Sequence, residues 1–209
     1  FENTKIGELK YVTGNIPVYK LKYKDNIFVF YKTYMGAPAA VGGIEDLSEF
    51  CDYKNIIIFG SAGSLDKNIS NGRIMVPTYA YRDEGTSYHY IEPNDYIKIK
   101  NSNIVSNFMK ENNIPYIEGK TWTTDAFFRE TINNFNKRKK DGCISVDMEC
   151  SAVQALCDYR NFELYYFLTS GDLLDTDEYN SGYKDKANHD NIYFDIALDL
   201  GNKIKSLRK

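Results

Sequence analysis

The chain has 209 residues, of which 43% are hydrophobic and 26% are charged, and these proportions are typical of a globular protein with a substantial core. The formal net charge is −3 with both signs mixed along the chain, so we do not expect the basic face that binds nucleic acid. The sequence contains no apolar run of about 18 residues and no secretory signal, so we predict a cytoplasmic protein without a membrane partner.

The cysteines and histidines bear on metal binding and on the cellular compartment. The four cysteines are Cys51, Cys143, Cys150 and Cys157, none of which forms a Cys-x-x-Cys pair, and the chain has two histidines. Cys150 and Cys157 are two helical turns apart, which predicts one buried helix face. Because neither a zinc motif nor a disulfide framework is present, we expect a reducing compartment, no metal and no organic cofactor.

Strand and helix patterns alternate along the chain, starting with a predicted hairpin at 17–23 and 26–33 that turns at Lys24-Asp25. The further predicted strands are 56–59, 73–81, 116–122, 144–146 and 164–169. The predicted helices are 37–50, 103–112, 127–140, 148–159 and 189–207, the last with Ile192, Phe194, Ile196, Leu198, Leu200 and Ile204 directed partly inward. We find no repeat and no linker, so residues 1–209 are treated as one domain.

This alternation predicts an α/β fold, a single domain with a central mixed, largely parallel sheet flanked by helices. Ligand sites in such sheets lie beyond the carboxyl ends of the strands. The residues that follow each predicted strand are therefore the candidates for a functional site.

The apolar strand 56–59 runs into Gly60-Ser61-Ala62-Gly63-Ser64-Leu65. Two glycines and small hydroxyl residues let a ligand approach the backbone closely and offer N–H groups to an anion. A plain tight turn explains the same residues. The segment fits neither the dinucleotide-binding GxGxxG pattern nor a P-loop.

A second candidate segment follows strand 116–122, and it contains an acid, two aromatic residues and an arginine. Asp125 is predicted to cap the helix after it. Phe127 and Phe128 either pack in the core or offer one ring for stacking on a flat ligand. Arg129 either meets an anion or a base carbonyl, or lies on the surface.

Acids also follow the last two predicted strands. Asp147 and Glu149 flank Met148 at a strand-to-helix junction, where the helix dipole favours acidic residues. Alternatively, Glu149 accepts hydrogen bonds from the two hydroxyls of a diol. Asp172 follows the buried strand 164–169 and is either a general acid with a raised pKa or a turn residue.

Taken together and in order, these segments resemble the successive motifs of the nucleoside phosphorylase family, which contains uridine phosphorylase, bacterial hexameric purine nucleoside phosphorylase and methylthioadenosine nucleosidase. The matching segments are 60–63, 81–90, 124–128, 146–149 and 170–172, and the resemblance covers nearly the whole chain. It implies the nucleoside phosphorylase fold. It also implies a pentosyltransferase of nucleoside salvage that cleaves a ribonucleoside with phosphate into free base and ribose 1-phosphate.

The resemblance implies a role for each matched residue. The phosphate-binding residues would be Ser61 and Gly60, and phosphate would be a co-substrate. The substrate-binding residues would be Gly63, Phe127, Arg129, Asp147, Met148 and Glu149. Among these, Phe127 would stack on the base, Met148 would pack under the sugar and Glu149 would bind the ribose hydroxyls.

Asp172 matches the acid that protonates the purine ring in the purine-specific branch. Protonation at the imidazole nitrogen helps a purine to leave, whereas uracil can leave on its carbonyl oxygens. The segment around Arg82 and His89 is most similar to the uridine phosphorylase branch, so the base preference stays open. The family completes each site with residues of a neighbouring subunit, which implies a homo-oligomer, either a dimer or a hexamer built as a trimer of dimers.

Three departures from the family pattern concern the phosphate site. Ile58 stands where the phosphorylases carry an arginine, three residues before Ser61. The family's early glycine-rich segment with a phosphate-binding arginine is not found, so we interpret the N-terminal part of the fold as missing from residues 1–209. The neighbour-subunit arginine also lacks a counterpart, because Lys5 and Lys10 are the only cations before Gly14. Phosphorolysis is our first expectation; the alternatives are hydrolysis by water and a degenerate family member that binds nucleosides without cleaving them.

Overall fold

The structure is a computed structural model that describes residues 2–69, 72–175 and 191–207. It begins with an antiparallel sheet of β1 (Asn3–Tyr11), β2 (Gly14–Tyr23) and β3 (Asn26–Phe30). The predicted hairpin is confirmed as β2–β3, with Lys24 at φ 53 in its turn. Strand β1 was not predicted, because its residues are mostly polar and exposed, with Leu9 buried.

A second sheet forms the centre of the molecule. Its strands are β4 (Asn55–Ser64), β5 (Ile74–Asp83), β6 (Tyr96–Lys98), β7 (Tyr116–Thr124), β8 (Cys143–Asp147) and β9 (Glu163–Leu173). Their order is β6-β5-β7-β8-β4-β9, and β5 also pairs with β9, so the sheet closes on itself. The pairs β5–β7, β7–β8 and β4–β9 are parallel, whereas β5–β6, β4–β8 and β5–β9 are antiparallel. The predicted mixed, largely parallel sheet is confirmed.

In the part of the chain that the structure describes, five helices flank this sheet: α1 (Ala37–Ser48), α2 (Ser102–Glu111), α3 (Ile132–Lys140), α4 (Cys150–Arg160) and α5 (Ile192–Ser206). Strand β9 is buried on both faces, as expected of a central strand. Leu164 and Leu168 face the cluster shared by α1 and α4, whereas Tyr165 and Phe167 face the one shared by α2 and α5. The alternating side chains of one strand thus join both halves of the core.

The cysteine prediction for α4 is confirmed, because Cys150 and Cys157 are both fully buried. The prediction for the last helix is partly wrong. Leu198, Leu200 and Ile204 are buried, but Ile192 is 56% exposed because it lies in the first turn of α5. The predicted start of this helix at residue 189 lies outside the described residues.

Strands β4 and β9 run well beyond their predicted ends, and this changes the candidate site. Strand β4 continues to Ser64 and β9 to Leu173, because their parallel pairing extends to Ser61↔Thr169 and Ala62↔Ser170. The helix predicted at 127–140 instead begins at Ile132, after a 3₁₀ turn at Phe127–Arg129. Thr131 separates the two elements with an extended backbone, at φ −66 and ψ 154.

Candidate active site

The carboxyl ends of five strands meet at one edge of the central sheet. Gly63 of β4 pairs with Val146 of β8, and Ala62 of β4 pairs with Ser170 of β9. On the other side of β8, Asp147 pairs with Thr123 of β7, and β5 follows β7. The topology therefore brings together the segments that sequence analysis singled out after separate strands.

The segment predicted as an anion-binding loop is a strand. Gly60, Ser61 and Gly63 all belong to β4, so this part of the backbone is engaged in sheet pairing with β8 and β9 and does not form a free cradle of N–H groups. Gly60 and Ser61 are exposed, which leaves the Ser61 hydroxyl as the group that can meet an anion here.

Two glycines allow the strands to approach closely at this edge. A Cβ at Gly171 would lie 3.3 Å from Cβ of Ser61. A Cβ at Gly63 would lie 2.8 Å from Cγ1 of Val146 and 3.0 Å from Cδ1 of Leu174. Gly63 therefore serves the packing of β4 against its protein neighbours, and the substrate contact that the resemblance implies at this residue stays a prediction.

Ile58 occupies the position where the family resemblance predicts an arginine. It is partly buried and packs against the hydrophobic cluster shared by α1 and α4. The side chain at this position of β4 therefore contributes to the core and provides no positive charge for phosphate.

Asp147 lies at the end of β8 with only 5% of its surface exposed, and its carboxylate is surrounded by donors. Oδ2 accepts the backbone N–H groups of Glu149 and Cys150, at 3.1 and 2.7 Å, and the hydroxyl of Tyr166 at 3.2 Å. Oδ1 accepts the hydroxyls of Thr121 and Thr123, at 3.1 and 2.8 Å.

These bonds determine what Asp147 can do. It satisfies two of the N–H groups that a helix leaves unpaired at its start, so it holds the first turn of α4 in place. This is the helix N-terminus alternative considered for the acids of this junction. With both oxygens bonded to protein donors, Asp147 supports the turn, and the substrate contact that the resemblance implies for it stays a prediction.

Glu149 lies two residues further on, half-buried, at the N-cap position of α4. Its Oε1 accepts the backbone N–H of Gly36 at 2.6 Å. Burial raises the pKa of Glu149 to about 7, and the charge of Asp147 adds to this effect, whereas the N–H groups of Gly36 and Met148 oppose it. A carboxylate held in this way can change its charge near neutral pH.

Gly36 is a site residue that sequence analysis missed. It has φ 106, a value that favours glycine, and it precedes α1, which carries Pro38 in its first turn. A glycine directly before a proline-containing helix start is a signal that could have identified this position. Its N–H joins the start of α1 to the junction between β8 and α4.

The segment after β7 presents aromatic side chains at the same edge. Phe127 is 43% exposed and Phe128 88%, and their ring centroids are 4.2 Å apart. Arg129 is exposed at the end of the 3₁₀ turn. Asp125 does not cap the next helix as predicted, because its Oδ2 accepts the backbone N–H of Gly85 at 2.9 Å. The aromatic rings are therefore available to a flat ligand, and Asp125 ties their loop to the end of β5.

Asp172 is half-buried on β9, near the half-buried Glu130. Burial raises the pKa of Glu130 to about 7, and the charge of Asp172 adds to the effect. Glu130 was not among the predicted site residues, although an acid directly after an aromatic pair and an arginine is a visible signal. The site therefore contains two carboxyl groups on its β9 side.

A concave region of about 340 Å³ lies elsewhere, lined by residues 48–54 and Phe162. It is at the opposite end of β4 and β9, where these strands begin, and it contains none of the candidate site residues described above. We therefore place the site at the carboxyl edge.

Among the described residues, no three His, Cys, Asp or Glu side chains are grouped so as to hold a metal ion. None of the helices in the described ranges is long and apolar enough to span a bilayer.

Comparison with known proteins gives the family. The sequence model of the phosphorylase superfamily matches residues 2–198, so the chain belongs to that superfamily, and the resemblance to nucleoside phosphorylases is confirmed. Homologues include a DeoD-type purine nucleoside phosphorylase of Aliivibrio fischeri, 24% identical over 79% of this chain and 72% of the relative. A 5'-methylthioadenosine/S-adenosylhomocysteine nucleosidase of Buchnera aphidicola is 26% identical over 90% of this chain and 85% of the relative. A protein of Acanthamoeba polyphaga mimivirus is 26% identical over 88% of this chain and 72% of the relative.

Proposed function

We propose that this protein cleaves the N-glycosidic bond of a ribonucleoside with phosphate, giving free base and ribose 1-phosphate. The observation that carries the proposal is the placement of Glu149. Its carboxylate is half-buried at the carboxyl edge of the sheet and is held by the N–H of Gly36 at 2.6 Å. An ionised carboxylate in such a position accepts hydrogen bonds from two neighbouring hydroxyls, which is the chemistry of a ribose diol.

In this proposal the substrate lies across the strand ends. The base stacks on Phe127, with Arg129 near its polar edge, and the sugar lies on Met148 with its hydroxyls on Glu149. The bond between C1′ and the base nitrogen breaks with its electron pair moving to the base, and the sugar passes through an oxocarbenium-like state. Asp172 donates a proton to a purine ring nitrogen, and a phosphate oxygen near Ser61 and Gly60 forms the new bond to C1′.

Hydrolysis is the second candidate, and Ile58 favours it. A phosphate dianion needs positive charge, and the residue at this position packs into the core instead. Water needs no such partner and would give free ribose. The homologues include both a phosphorylase and a nucleosidase, which supports either reaction.

We also propose that the active form is a homo-oligomer, a dimer or a hexamer. Phe127 and Phe128 are exposed at the edge of the site in a single chain. A second copy that covers these rings would exclude water from the base and complete the pocket.

The four cysteines are all free thiols, which supports the proposed location in a reducing cytoplasm.

The test is base release from a panel of purine and pyrimidine ribonucleosides, with and without phosphate. The proposal predicts release that requires phosphate and that is lost in Glu149→Ala, while the free energy of unfolding of this variant stays close to that of the wild type. Release without phosphate would support the nucleosidase alternative. Absence of release in both conditions, despite nucleoside binding, would support a degenerate family member.

A further inference from the structure

The segment that follows β5 contains two buried charged side chains, Arg82 at 3% exposure and Glu84 at 5%. Arg82 donates from Nε to Oγ of Ser87 at 2.9 Å, and from one terminal nitrogen to the carbonyls of Glu92 and Asn94 at 2.8 and 3.2 Å. Its guanidinium also lies 4.1 Å from the ring centroid of Tyr88. Arg82 therefore fixes its own loop and is not directed at the site.

Glu84 makes contacts of a different kind, because it reaches another element. Its Oε2 accepts the backbone N–H of Ser87 at 2.9 Å, within its own turn. Its Oε1 accepts the hydroxyl of Ser151 at 2.8 Å, in the first turn of α4. Burying a carboxylate is unfavourable unless donors compensate it, and these two hydrogen bonds provide that compensation for Glu84.

Ser151 connects Glu84 to the group that holds Glu149. The backbone N–H of Ser151 donates to Oγ1 of Thr123 at 3.1 Å, and this hydroxyl donates to Oδ1 of Asp147 at 2.8 Å. Asp147 in turn binds the N–H of Glu149 itself. The first turn of α4 is therefore fixed from two sides, by Asp147 at its backbone and by Glu84 at its side chain.

We propose that Glu84 is a positioning residue of the sugar site. By fixing Ser151, it sets the orientation of the first turn of α4 and so directs the carboxylate of Glu149 toward Gly36 and the ribose hydroxyls. Glu84 does not touch the substrate. The inference rests on the proposed function for the identity of the ligand, but the geometry that it explains is present in the protein alone.

The variant that tests this inference is Ser151→Ala, which removes the hydroxyl that Glu84 accepts and keeps the backbone N–H that Thr123 accepts. The matched control is Ser106→Ala on α2, since Ser106 is also buried and helical, and its hydroxyl lacks a partner within the described part of the chain. A third variant, Glu84→Gln, keeps the shape of the side chain and can donate from its amide to Oγ of Ser151.

The first measurement compares the binding of nucleosides with that of the free bases. Loss of one hydrogen bond to a charged group at a positioning residue predicts that Ser151→Ala weakens nucleoside binding about tenfold. Binding of the free base, which does not involve Glu149, changes less than about twofold on the same reasoning. Glu84→Gln retains most of the nucleoside affinity of the wild type, and Ser106→Ala leaves the binding of both ligands unchanged. Equal losses for nucleoside and base in Ser151→Ala, or no loss for either, would overturn the proposal.

The second measurement needs no ligand, so it separates this inference from the proposed function. Amide hydrogen exchange at Gly36 reports the bond from its N–H to Glu149, and it should accelerate in Ser151→Ala by more than the change in global stability explains. The control Ser106→Ala should not show this acceleration. If the wild type binds no nucleoside, the proposed function fails while Gly36 exchange still decides the positioning role. Unchanged exchange at Gly36 in Ser151→Ala would refute that role.

Discussion

The raised pKa of Glu149 predicts how nucleoside binding depends on pH. Burial and the charge of Asp147 raise this pKa from the ordinary value of 4.5 to about 7. If the ribose hydroxyls bind to the ionised carboxylate, affinity should increase as the pH rises through 7. Stability shows the opposite sign, because a raised folded-state pKa stabilises the fold fully below about pH 4.5 and this contribution is lost as the pH approaches 7.

The size of the binding effect follows from the fraction of Glu149 that is ionised. With a pKa of about 7, this fraction is roughly one tenth at pH 6 and nine tenths at pH 8, so affinity should rise about tenfold over this range. Glu149→Gln removes the charge and keeps the size. At pH 8 it should weaken binding by about 1.5–3 kcal/mol, or roughly ten- to hundredfold, which is the usual contribution of a hydrogen bond to a charged group.

Isothermal titration calorimetry at pH 6, 7 and 8 with one nucleoside provides the measurement. Glu130→Gln is the matched control, because Glu130 is also half-buried and also has a pKa raised to about 7, but by burial and Asp172. The wild type and Glu130→Gln should both bind more tightly at higher pH, and Glu149→Gln should show no such increase. An unchanged pH dependence in Glu149→Gln would refute the assignment of the diol to Glu149.

Three further predictions concern the base, the fold and the assembly. Asp172→Asn should lower turnover about 10²–10⁴-fold on purine nucleosides and much less on uridine; equal losses in steady-state rates would show that Asp172 positions the site and does not protonate the base. Asp147→Ala should lower the free energy of unfolding by about 3 kcal/mol or more in denaturant titrations, because several buried donors lose their acceptor at a cost of about 1–3 kcal/mol each; a loss below about 1 kcal/mol would contradict the supporting role of Asp147. Sedimentation at micromolar concentration should show at least a dimer, and a fully active monomer would contradict the proposed assembly.

The elements that could be predicted from the sequence are those with a clear apolar pattern. The run Ile56-Ile57-Ile58-Phe59 gave a central strand, and the spacing of Cys150 and Cys157 gave a buried helix face, as found. Strand β1 was not predicted, because it is held by backbone pairing to β2 and carries few apolar residues. Strand pairing of this kind depends on the partner, which a local pattern does not contain.

The ends of the strands were the least predictable part, and they are where the site lies. Gly60, Ser61 and Gly63 have the composition of a loop, yet β8 and β9 pair with this stretch and keep it extended. Asp125 is a residue type that often caps a helix. Its carboxylate instead accepts the backbone N–H of Gly85, forty positions away in the sequence. In both cases a long-range partner decided between local alternatives that the sequence left open.

The resemblance to the nucleoside phosphorylase family identified Asp147 and Glu149 as site residues, and the structure distinguishes their roles. The sequence does not distinguish the roles of Asp147 and Glu149, since both are acids at the start of a helix. The five donors around Asp147 assign it to the turn, whereas Glu149 is held by backbone N–H groups, among them that of Gly36, and is assigned the role toward a ligand in the proposed function. Glu84 could not be selected from sequence, because its importance depends on Ser151, which lies 67 positions away.

We propose that phosphate is the nucleophile, although Ile58 replaces the arginine expected beside it. Phosphorus NMR of the protein, mixed with inorganic phosphate and a nucleoside that it cleaves, distinguishes phosphate from water as the nucleophile. Attack by phosphate produces a new phosphomonoester signal, that of ribose 1-phosphate, which grows in equal amount to the released base. Base release with free ribose and an unchanged phosphate signal would contradict this proposal and would show that the site uses water.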